Sequence, residues 1–333
     1  MPTVKDVARY AGVSPITVSR VVNTPESVRP QTRTRVEQAM AELHYVPNAA
    51  AKNLVTNRSG VVDIYVPESI DLSNPFVMHL IAGISKVLSE RMYSFLILRN
   101  RKREHRCDGY IVTGLLKDEI REFEHYASER DRPVVLFGHT ELSHVDCIDV
   151  DNVAGAKMGT ERLIALGHRD IAMINVDEDK DYTTDRLNGY RLAMQEKGLS
   201  YTESSVIHVP NSVEGGAQAI RQLLEHGQFT AAFCATDTIA IGAASELARI
   251  GHRIPEDFSL VGFDGLGHQL LATPPLTSVQ QPIYEMGKML AQALLDRLDG
   301  NCEKLMRLVE PTLIEGRSTA SPSARFPETY GSK

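Results

Sequence analysis

From Val61 onward, short apolar runs alternate with amphipathic stretches of helical length, and this alternation constrains the fold more than any other feature. The runs include VVDIYVP, PVVLFG, DIAMIN, AAFCAT and FSLVGFD. Stretches such as HLIAGISKVLSERM and IAIGAASELARIGH separate them. Strands that alternate with helices form parallel sheets, because a parallel crossover needs a connection about as long as a helix. The sequence therefore predicts a doubly wound α/β body.

The first sixty residues follow a different pattern. In TVKDVARYAGVSPITVSRVVN, Thr3 can cap a first helix together with Asp6, and Gly12 can end it. Ser14 and Pro15 then begin a second helix. The residues expected to face inward are Val4, Val7, Ala8, Ala11, Val18, Val21 and Val22, with Val36, Ala39, Met40 and Leu43 from a third helix over about residues 31 to 43. This spacing predicts a DNA-binding helix-turn-helix, with a pair of ordinary packing helices as the alternative.

The charge is distributed unevenly along the chain. The formal net charge of −7 argues against a surface that coats nucleic acid or anionic membrane. Residues 1–58 nevertheless contain eight Lys or Arg and only four Asp or Glu. A basic end on an acidic body indicates a small polyanion-binding module joined to a body with another task.

Cysteine usage and hydropathy predict a cytoplasmic protein without a membrane partner. The four cysteines have neither a CxxC motif nor metal-ligand spacing, so reduced thiols are expected. The N-terminal MPTVKDVARY lacks the apolar core of a signal peptide. No apolar run approaches the ~18 residues of a membrane span.

The blocks DVA, AGVS, TVSRVVN and YVPN closely resemble the headpiece of the lactose repressor/galactose repressor (LacI/GalR) family, and the resemblance continues to about Arg317. It implies an all-α helix-turn-helix headpiece and a periplasmic-binding-protein-like body of two doubly wound parallel-sheet subdomains. The implied segments are a headpiece (1–47), a hinge helix and linker (48–58), an effector-binding and dimerisation body (59–317) and a flexible tail (318–333). The N-subdomain would take about 59–150 and 283–308, and the C-subdomain about 151–280 and 309–317.

The resemblance also implies which residues contact DNA. Arg20 is expected to read a base, because a guanidinium can bond to guanine O6 and N7 together. Pro15 and Ile16 occupy the positions that vary with operator choice, and neither side chain can form a hydrogen bond with a base. Phosphate contacts are expected from Ser14, Thr17, Ser19 and Asn23. In the hinge, the contacts would come from Asn48, Lys52 and Leu54.

Leu54 is expected to wedge into the minor groove and kink the central step. Asn48 would cap the short hinge helix, and Lys52 would approach phosphate. The alternative for Leu54 is a core position in a helix packed on the body.

The resemblance places an effector between the subdomains, at the carboxyl ends of the strands. Arg186 and Asp264 would hold its hydroxyl groups, because forked donors and a carboxylate acceptor suit a polyhydroxyl ligand. A surface ion pair for Arg186 and a helix cap for Asp264 are the alternatives. The other residues expected at this cleft are Asn74, Phe76, Thr236, Asp237, Phe263 and Gln281.

A sugar or sugar derivative is the expected class of effector. The chain contains no Trp to stack on a pyranose, and Pro210 stands where several sugar sensors carry an aromatic residue. Phe76, Phe263 and Tyr182 are the candidate substitutes.

These features together predict a transcriptional repressor that binds a pseudo-palindromic operator as a homodimer. The alternative is a transport-type sugar-binding protein without a regulatory role. Neither catalysis nor a metal or other cofactor is expected: G-x-S-x-G does not occur, and His168 and His268 lack partners at catalytic or metal spacing. The C-terminus lacks the leucine heptads of a tetramerisation helix.

One segment departs from the family pattern. In FLILRNRKREHRCDGYIV, only residues 99–108 separate two strand-like runs. Ten residues are too few for a crossover helix, so either the connection is naturally short or residues are missing from the chain. Its basic cluster is expected to be a solvated connection rather than a DNA contact.

Overall fold

A computed structural model describes residues 2–23, 25–45, 58–102, 105–142, 144–226 and 229–322. The chain divides into two compact units, residues 1–60 and residues 61–333. In the described part of the chain, no helix combines the length and the apolar character needed to cross a membrane.

Among its described residues the first unit has three α-helices, α1 (Val4–Ala11), α2 (Pro15–Asn23) and α3 (Pro30–Glu42). Thr3 and Asp6 form a reciprocal capping box at the start of α1, and Gly12 ends that helix with a φ of 62°. These features confirm the predicted boundaries of the helix-turn-helix. The predicted inward positions also form the core, which contains Val7, Ala8, Ala11, Val18, Val21, Val36 and Ala39.

The second unit contains twelve strands and seven helices among its described residues. The strands are β1 (Val61–Tyr65), β2 (Ser94–Leu98), β3 (Gly109–Val112), β4 (Val134–Phe137), β5 (Asp146–Val150), β6 (Ile171–Val176), β7 (Val206–Val209), β8 (Ala231–Cys234), β9 (Ser259–Asp264), β10 (Thr277–Gln280), β11 (Met306–Val309) and β12 (Thr312–Ile314). The helices are α4 (Pro75–Glu90), α5 (Lys117–Ser128), α6 (Asn152–Ala165), α7 (Asp181–Glu196), α8 (Val213–His226), α9 (Asp237–Arg249) and α10 (Ile283–Leu298).

The strands form two six-stranded sheets. The alternating pattern predicted parallel sheets, and the family resemblance implied two of them. The first sheet has the order β11-β5-β4-β3-β1-β2 and the second the order β12-β10-β9-β8-β6-β7. Their neighbouring strands are parallel, except that β12 runs antiparallel to β10. Because β11 and β12 follow both sets of central strands, the C-terminal part of the chain contributes an edge strand to each sheet.

The first sheet has a hydrophobic core on each face. Ile111 of β3 points into the core that contains residues of α4 and α10. Its neighbours Tyr110 and Val112 point into a second core, under α5. Alternate residues of a strand face opposite sides, so a buried sheet needs both cores.

The short connection 99–108 contains no helix among its described residues. Arg99 donates hydrogen bonds to the carbonyls of Glu68 (3.0 Å) and Ile70. Arg101 pairs with Glu122 at 3.2 Å. These contacts hold the connection against the body, which supports its interpretation as a structural link.

Candidate functional site

The second helix of the first unit presents a polar, exposed surface. Ser14 caps α2 by accepting the N–H of Thr17 at 3.1 Å. Ser19 and Arg20 are exposed, and the Ile16 side chain is 66% exposed. An apolar side chain this exposed contributes little to the core, so Ile16 is available for contact with a base.

The residues predicted to touch DNA are placed as follows. Ser14, Pro15, Ile16, Ser19 and Arg20 are exposed on or beside α2, and Thr17 is half-buried. Asn23 is the last residue of α2, and its side chain lies outside the described residues. The hinge positions Asn48, Lys52 and Leu54 also lie outside them.

A concave surface of about 400 Å³ lies beside α2. It brings Arg29 and Arg35 next to Arg20, together with Ser14 and Thr17. Three guanidinium groups around hydroxyl donors form a surface suited to phosphate oxygens. The sequence prediction missed Arg29 and Arg35, although the excess of basic residues before residue 58 pointed to additional cations.

In the second unit, polar residues meet at the carboxyl ends of the second sheet. Asp264 ends β9, and Gln281 follows β10. Thr236 and Asp237 begin α9 after β8, while Arg186 lies in the second turn of α7 after β6. Because these strands are parallel, their carboxyl ends place the side chains at one edge.

Arg186 is buried at the centre of this edge. Its Nε donates to Asn152 Oδ1 at 2.9 Å, and a terminal nitrogen donates to the carbonyl of Ala235. The nearest carboxylate oxygen of Asp264 lies 3.8 Å away. The guanidinium carbon is also 3.6 Å from the centre of the Phe263 ring. A surface ion pair, the alternative for Arg186, does not match this burial.

Asp264 links Arg186 to Gln281 and Asp237. Its Oδ1 accepts the side-chain N–H of Gln281 at 2.7 Å, and its Oδ2 lies 3.4 Å from the backbone nitrogen of Asp237. Its backbone φ of 126° lies in a region that non-glycine residues rarely adopt. Such strain is found where a side chain is held for a task.

The carboxylate of Asp237 accepts hydrogen bonds from other groups of the protein. Its two carboxylate oxygens accept hydrogen bonds from Ser278 (2.6 Å) and from the N–H of Gly265 (2.8 Å). Burial raises the pKa of this carboxyl, and the charge of Asp264 raises it further. Burial also raises the pKa of Asp264, while Arg186 opposes that rise.

The structure corrects the expectation that Phe263 could stack on a sugar. Phe263 is 0% exposed, and its ring is covered by the guanidinium of Arg186. Phe263 thus supports Arg186 from within the core. Thr236 is buried as well, and it caps α9 through the N–H of Ile239.

Asn74 and Phe76 lie at the start of α4, in the first half of the body. Asn74 caps the helix by accepting the N–H of Phe76 at 2.9 Å. The half-buried Phe76 ring packs edge-on against Phe137, with 5.0 Å between centroids. Asn74 is exposed, so its amide nitrogen can still donate to a ligand.

The sequence prediction missed two residues that support the site, Asn152 and Ser278. Asn152 lies two residues after the end of β5, so the strand-end signal that pointed to Asp264 could have found it. Ser278 lies within β10, where no sequence signal distinguishes it.

His168 has a structural role. Its buried ring lies between the hydroxyl of Thr230, 2.8 Å from Nδ1, and the carbonyl of Ala320, 2.9 Å from Nε2.

Comparisons with known proteins agree with both parts of the molecule. Residues 3–48 match the model of bacterial regulatory proteins of the lacI family, and residues 160–319 match a periplasmic binding protein-like domain. The uncharacterized HTH-type transcriptional regulator YvdE of Bacillus subtilis is 38% identical, covering 96% of this chain and 100% of that protein. The HTH-type transcriptional regulator CelR of Thermobifida fusca is 36% identical, covering 96% and 98%.

Solved structures give the same result. A complex of the transcriptional regulator CelR with cellobiose has a TM-score of 0.73 and 33% identity, covering 96% of this chain and 100% of that one. The lac repressor dimer bound to operator and the anti-inducer ONPF has a TM-score of 0.76 and 27% identity, with coverage of 96% and 99%.

Fold, site and relatives define a helix-turn-helix transcriptional regulator with a periplasmic-binding-protein-like body. The chain belongs to the lacI family of bacterial regulatory proteins. Its relatives are transcriptional regulators rather than enzymes. This membership decides against the transport-type sugar-binding protein that the sequence left as an alternative.

Proposed function

We propose that this regulator is a repressor that binds a pseudo-palindromic operator as a homodimer and releases it when a small sugar binds in the body. The observation that carries the proposal is the buried network of Arg186, Asp264 and Gln281 at the carboxyl ends of the second sheet. The described contacts of Arg186 use two of its five N–H groups. The remaining donors and the Asp264 carboxylate suit the vicinal hydroxyls of a sugar.

The relative solved with cellobiose supports a saccharide as the first effector to test. We place the effector against Arg186, Asp264 and Gln281, with Asn74 and Phe76 on the opposite side of the cleft. Thr236, Asp237 and Phe263 hold that arrangement from behind, since their side chains are buried in the protein. The body thus acts by binding, without a catalytic step.

On DNA, we propose that Arg20 reads one base pair in each half-site while Ser14, Thr17, Ser19 and Asn23 fix the register on phosphate. Pro15 and Ile16 shape the contact without base hydrogen bonds. Residues 48–58 would act as the hinge, in which Asn48 would cap the hinge helix, Lys52 would approach phosphate and Leu54 would wedge into the minor groove. These roles follow from position in the family motif and from the exposure of α2.

A binding assay on the full chain tests the effector proposal. Fluorescence anisotropy is measured on DNA from upstream of the protein's own gene, with and without cellobiose, ribose or lactose. One sugar should weaken DNA binding, because it must prefer the state that does not fit the operator. A sugar that strengthens DNA binding would contradict induction.

Two variants locate the effector. Arg186→Gln should bind the operator normally and lose the response to sugar. Arg191→Gln, an exposed position on the same helix, is the matched control and should keep the response. An unchanged response in Arg186→Gln would contradict the assigned site.

The DNA proposal is tested by Arg20→Ala. Competition among operators with single base changes should show relaxed preference at one base pair in each half-site, worth about 1–3 kcal/mol. Arg9→Ala on α1 is the control, because Arg9 pairs with Asp6 of the same helix at 3.4 Å. A uniform loss of binding to all sequences would make Arg20 a phosphate contact.

A further inference from the structure

A cavity lies in the body at the amino ends of strands of the first sheet. It has a volume of about 660 Å³. One wall is the end of the short connection with the start of β3, and the other is the turn between α5 and β4. The proposed effector cleft lies at the opposite, carboxyl ends of the strands. Because β3 has four residues at about 3.3 Å each, roughly 10 Å of sheet separates the two sites.

The lining of this cavity is rich in cationic side chains. It contains Arg106, Arg130 and Arg132, and among its described residues Glu129 is the only acidic one. Three positive charges therefore face one negative charge before His105 is counted. A guanidinium has five N–H groups, so it can keep a partner within the protein and still donate to a ligand.

The turn after α5 holds two of these arginines in place. The backbone N–H of Arg132 donates to the carbonyl of Ala127 at 3.1 Å, and Asp131, between the two arginines, has a φ of 51°. This is a left-handed helix end, and it brings both neighbours of Asp131 to the cavity. Arg130 also donates to the carbonyl of Tyr126 at 3.0 Å, with its guanidinium carbon 3.9 Å from the centre of that ring. A guanidinium held in this way loses less conformational entropy when it binds a ligand.

The opposite wall is anchored and carries neutral groups. Nε2 of His105 is 2.8 Å from Oδ1 of the buried Asp63, so the charge of Asp63 is paired behind the wall. Cys107 and Tyr110 are buried. Burial raises the pKa of the Cys107 thiol to about 11 and also raises the pKa of Tyr110. Both groups are therefore neutral at pH 7 and do not oppose an anion.

The donors of this cavity suit a phosphate group better than a carboxylate. The described side-chain contact of Arg132, with the carbonyl of Asp131 at 3.3 Å, uses one of its five N–H groups. A carboxylate has two oxygens and one charge, whereas a phosphate monoester has three terminal oxygens and nearly two charges at pH 7. Guanidinium groups bond phosphate oxygens in pairs, so three of them can surround one phosphate.

We propose that this cavity binds a small molecule that carries a phosphate group, through Arg106, Arg130 and Arg132. The site is separate from the sugar-binding cleft and does not rest on the proposed function. Sequence analysis treated the basic cluster as a solvated connection. It missed this site because the arginines come from two segments of the chain that meet only in the fold.

The test uses the full chain in a magnesium-free buffer of constant ionic strength. Isothermal titration calorimetry measures the binding of inorganic pyrophosphate. One site per chain is expected. Glucose 6-phosphate should compete for it, whereas glucose, which lacks the phosphate, should not. Arg186→Gln should leave pyrophosphate binding unchanged, because Arg186 belongs to the cleft.

Four variants locate the phosphate. Arg106→Gln and Arg132→Gln should each lower the affinity for pyrophosphate at least about tenfold, because each removes charge-assisted hydrogen bonds. Glu129→Gln should raise the affinity, because Glu129 lies 3.7 Å from Arg130 and its charge opposes an anion. A misfolded variant could not produce such a gain. Arg121→Gln, exposed on α5, makes the same change of charge and is the matched control.

Circular dichroism checks that each variant folds. Absence of pyrophosphate binding, or an equal loss in Arg121→Gln and the two lining variants, would overturn the proposal. Weaker operator binding by Arg132→Gln with unchanged pyrophosphate binding would also overturn it, because the arginines would then contact the DNA backbone. The pyrophosphate titration involves neither DNA nor a sugar in the cleft, so its failure would leave the proposed function intact.

Discussion

The two sheets of the body have the same strand order but solve one structural problem differently. β2 and β3 lie on either side of β1, as β7 and β8 lie on either side of β6. The second sheet makes this crossover with α8. The first makes it with residues 99–108, which contain no helix among those the structure describes.

An aromatic cluster stands where the first sheet lacks its helix. Phe123 of α5 lies 4.7 Å from Tyr65, 5.4 Å from Tyr110 and 5.7 Å from Tyr126 between ring centroids. The guanidinium of Arg101, from the short connection, lies 5.9 Å from the centre of the Tyr126 ring. On this face the first sheet packs two rings of α5, Phe123 and Tyr126, against Tyr65 and Tyr110 of its own strands, whereas the second sheet has the packed helices α8 and α9.

With the short connection in place of a helix, the edge strand β2 is less covered than β7. Leu96 and Ile97 of β2 are 47% and 36% exposed. In β7 the exposed residue is His208, whereas Val206 and Ile207 are half-buried. Exposed apolar residues on an edge strand favour pairing with another chain, so β2 carries the greater risk of association.

The largest expected effect comes from Phe123→Ala. If the rings stabilise the first sheet in place of a helix, removing Phe123 from the centre of the cluster should lower the free energy of unfolding by about 3–5 kcal/mol, as for a buried Phe. Phe229→Ala, a half-buried ring beside the second sheet, is the control and should cost less. Urea unfolding followed by circular dichroism measures both. A loss below about 1 kcal/mol for Phe123→Ala would mean that the cluster does not stabilise the first sheet.

The second sheet should instead be sensitive where α8 meets α9. A Cβ placed on Gly242 of α9 would collide with the carbonyl of Val213 in α8. Gly242→Ala should therefore force the helices apart and cost about 1–3 kcal/mol. Ser245→Ala, exposed on the same helix, should change stability by less than about 0.5 kcal/mol. Equal effects of the two substitutions would show that this helix pair tolerates expansion.

Local signals explain how much of the molecule could be predicted. The capping box of Thr3, the left-handed Gly12 and the cap by Ser14 each depend on residues within four positions, so the headpiece followed directly from sequence. The parallel sheets followed from alternation alone. The polar residues at the strand ends were predicted because parallel strands share an edge, and Arg186, Asp264 and Gln281 do meet there.

Features that depend on distant packing could not be predicted. Phe263 is buried because the guanidinium of Arg186 lies over its ring. No local sequence pattern indicates this contact. The antiparallel β12 depends on where the chain returns after crossing to β11. The aromatic residues of α5 are visible in the sequence, but their packing against Tyr65 and Tyr110 depends on how α5 lies on the sheet.

A smaller effect is expected from Arg101→Ala, which tests the cover over the aromatic cluster. The ion pair with Glu122 and the contact with the Tyr126 ring should together be worth about 0.5–1 kcal/mol. Arg253→Ala removes an exposed pair with Asp257 of the second half. The difference between the two losses at high salt isolates the ring contact, because salt screens both ion pairs. Equal losses for the two variants at high salt would mean that the contact between Arg101 and the Tyr126 ring does not stabilise the first sheet.

The last prediction concerns the buried carboxylate of Asp237, and the size of its effect depends on pH. After β8 the chain places Asp237 in the core, whereas after β3 it continues with Thr113 and Gly114. Because folding raises the pKa of Asp237, the unfolded chain loses this proton first as pH increases above about 4. The protonated carboxyl of Asp237 therefore contributes fully to stability at lower pH, and this contribution is lost as pH rises through the pKa of the folded state.

Asp237→Asn carries no such proton, so its melting temperature relative to the unmodified protein should rise between about pH 4 and pH 7. Loss of an acceptor for Ser278 or Gly265 adds a constant offset that does not depend on pH. Asp118→Asn, at the exposed start of α5, is the control from the first sheet. A relative melting temperature that stays flat with pH for Asp237→Asn would mean that the carboxylate is stabilised as an anion by Arg186, and that the polar edge of the second sheet carries no cost for its charge.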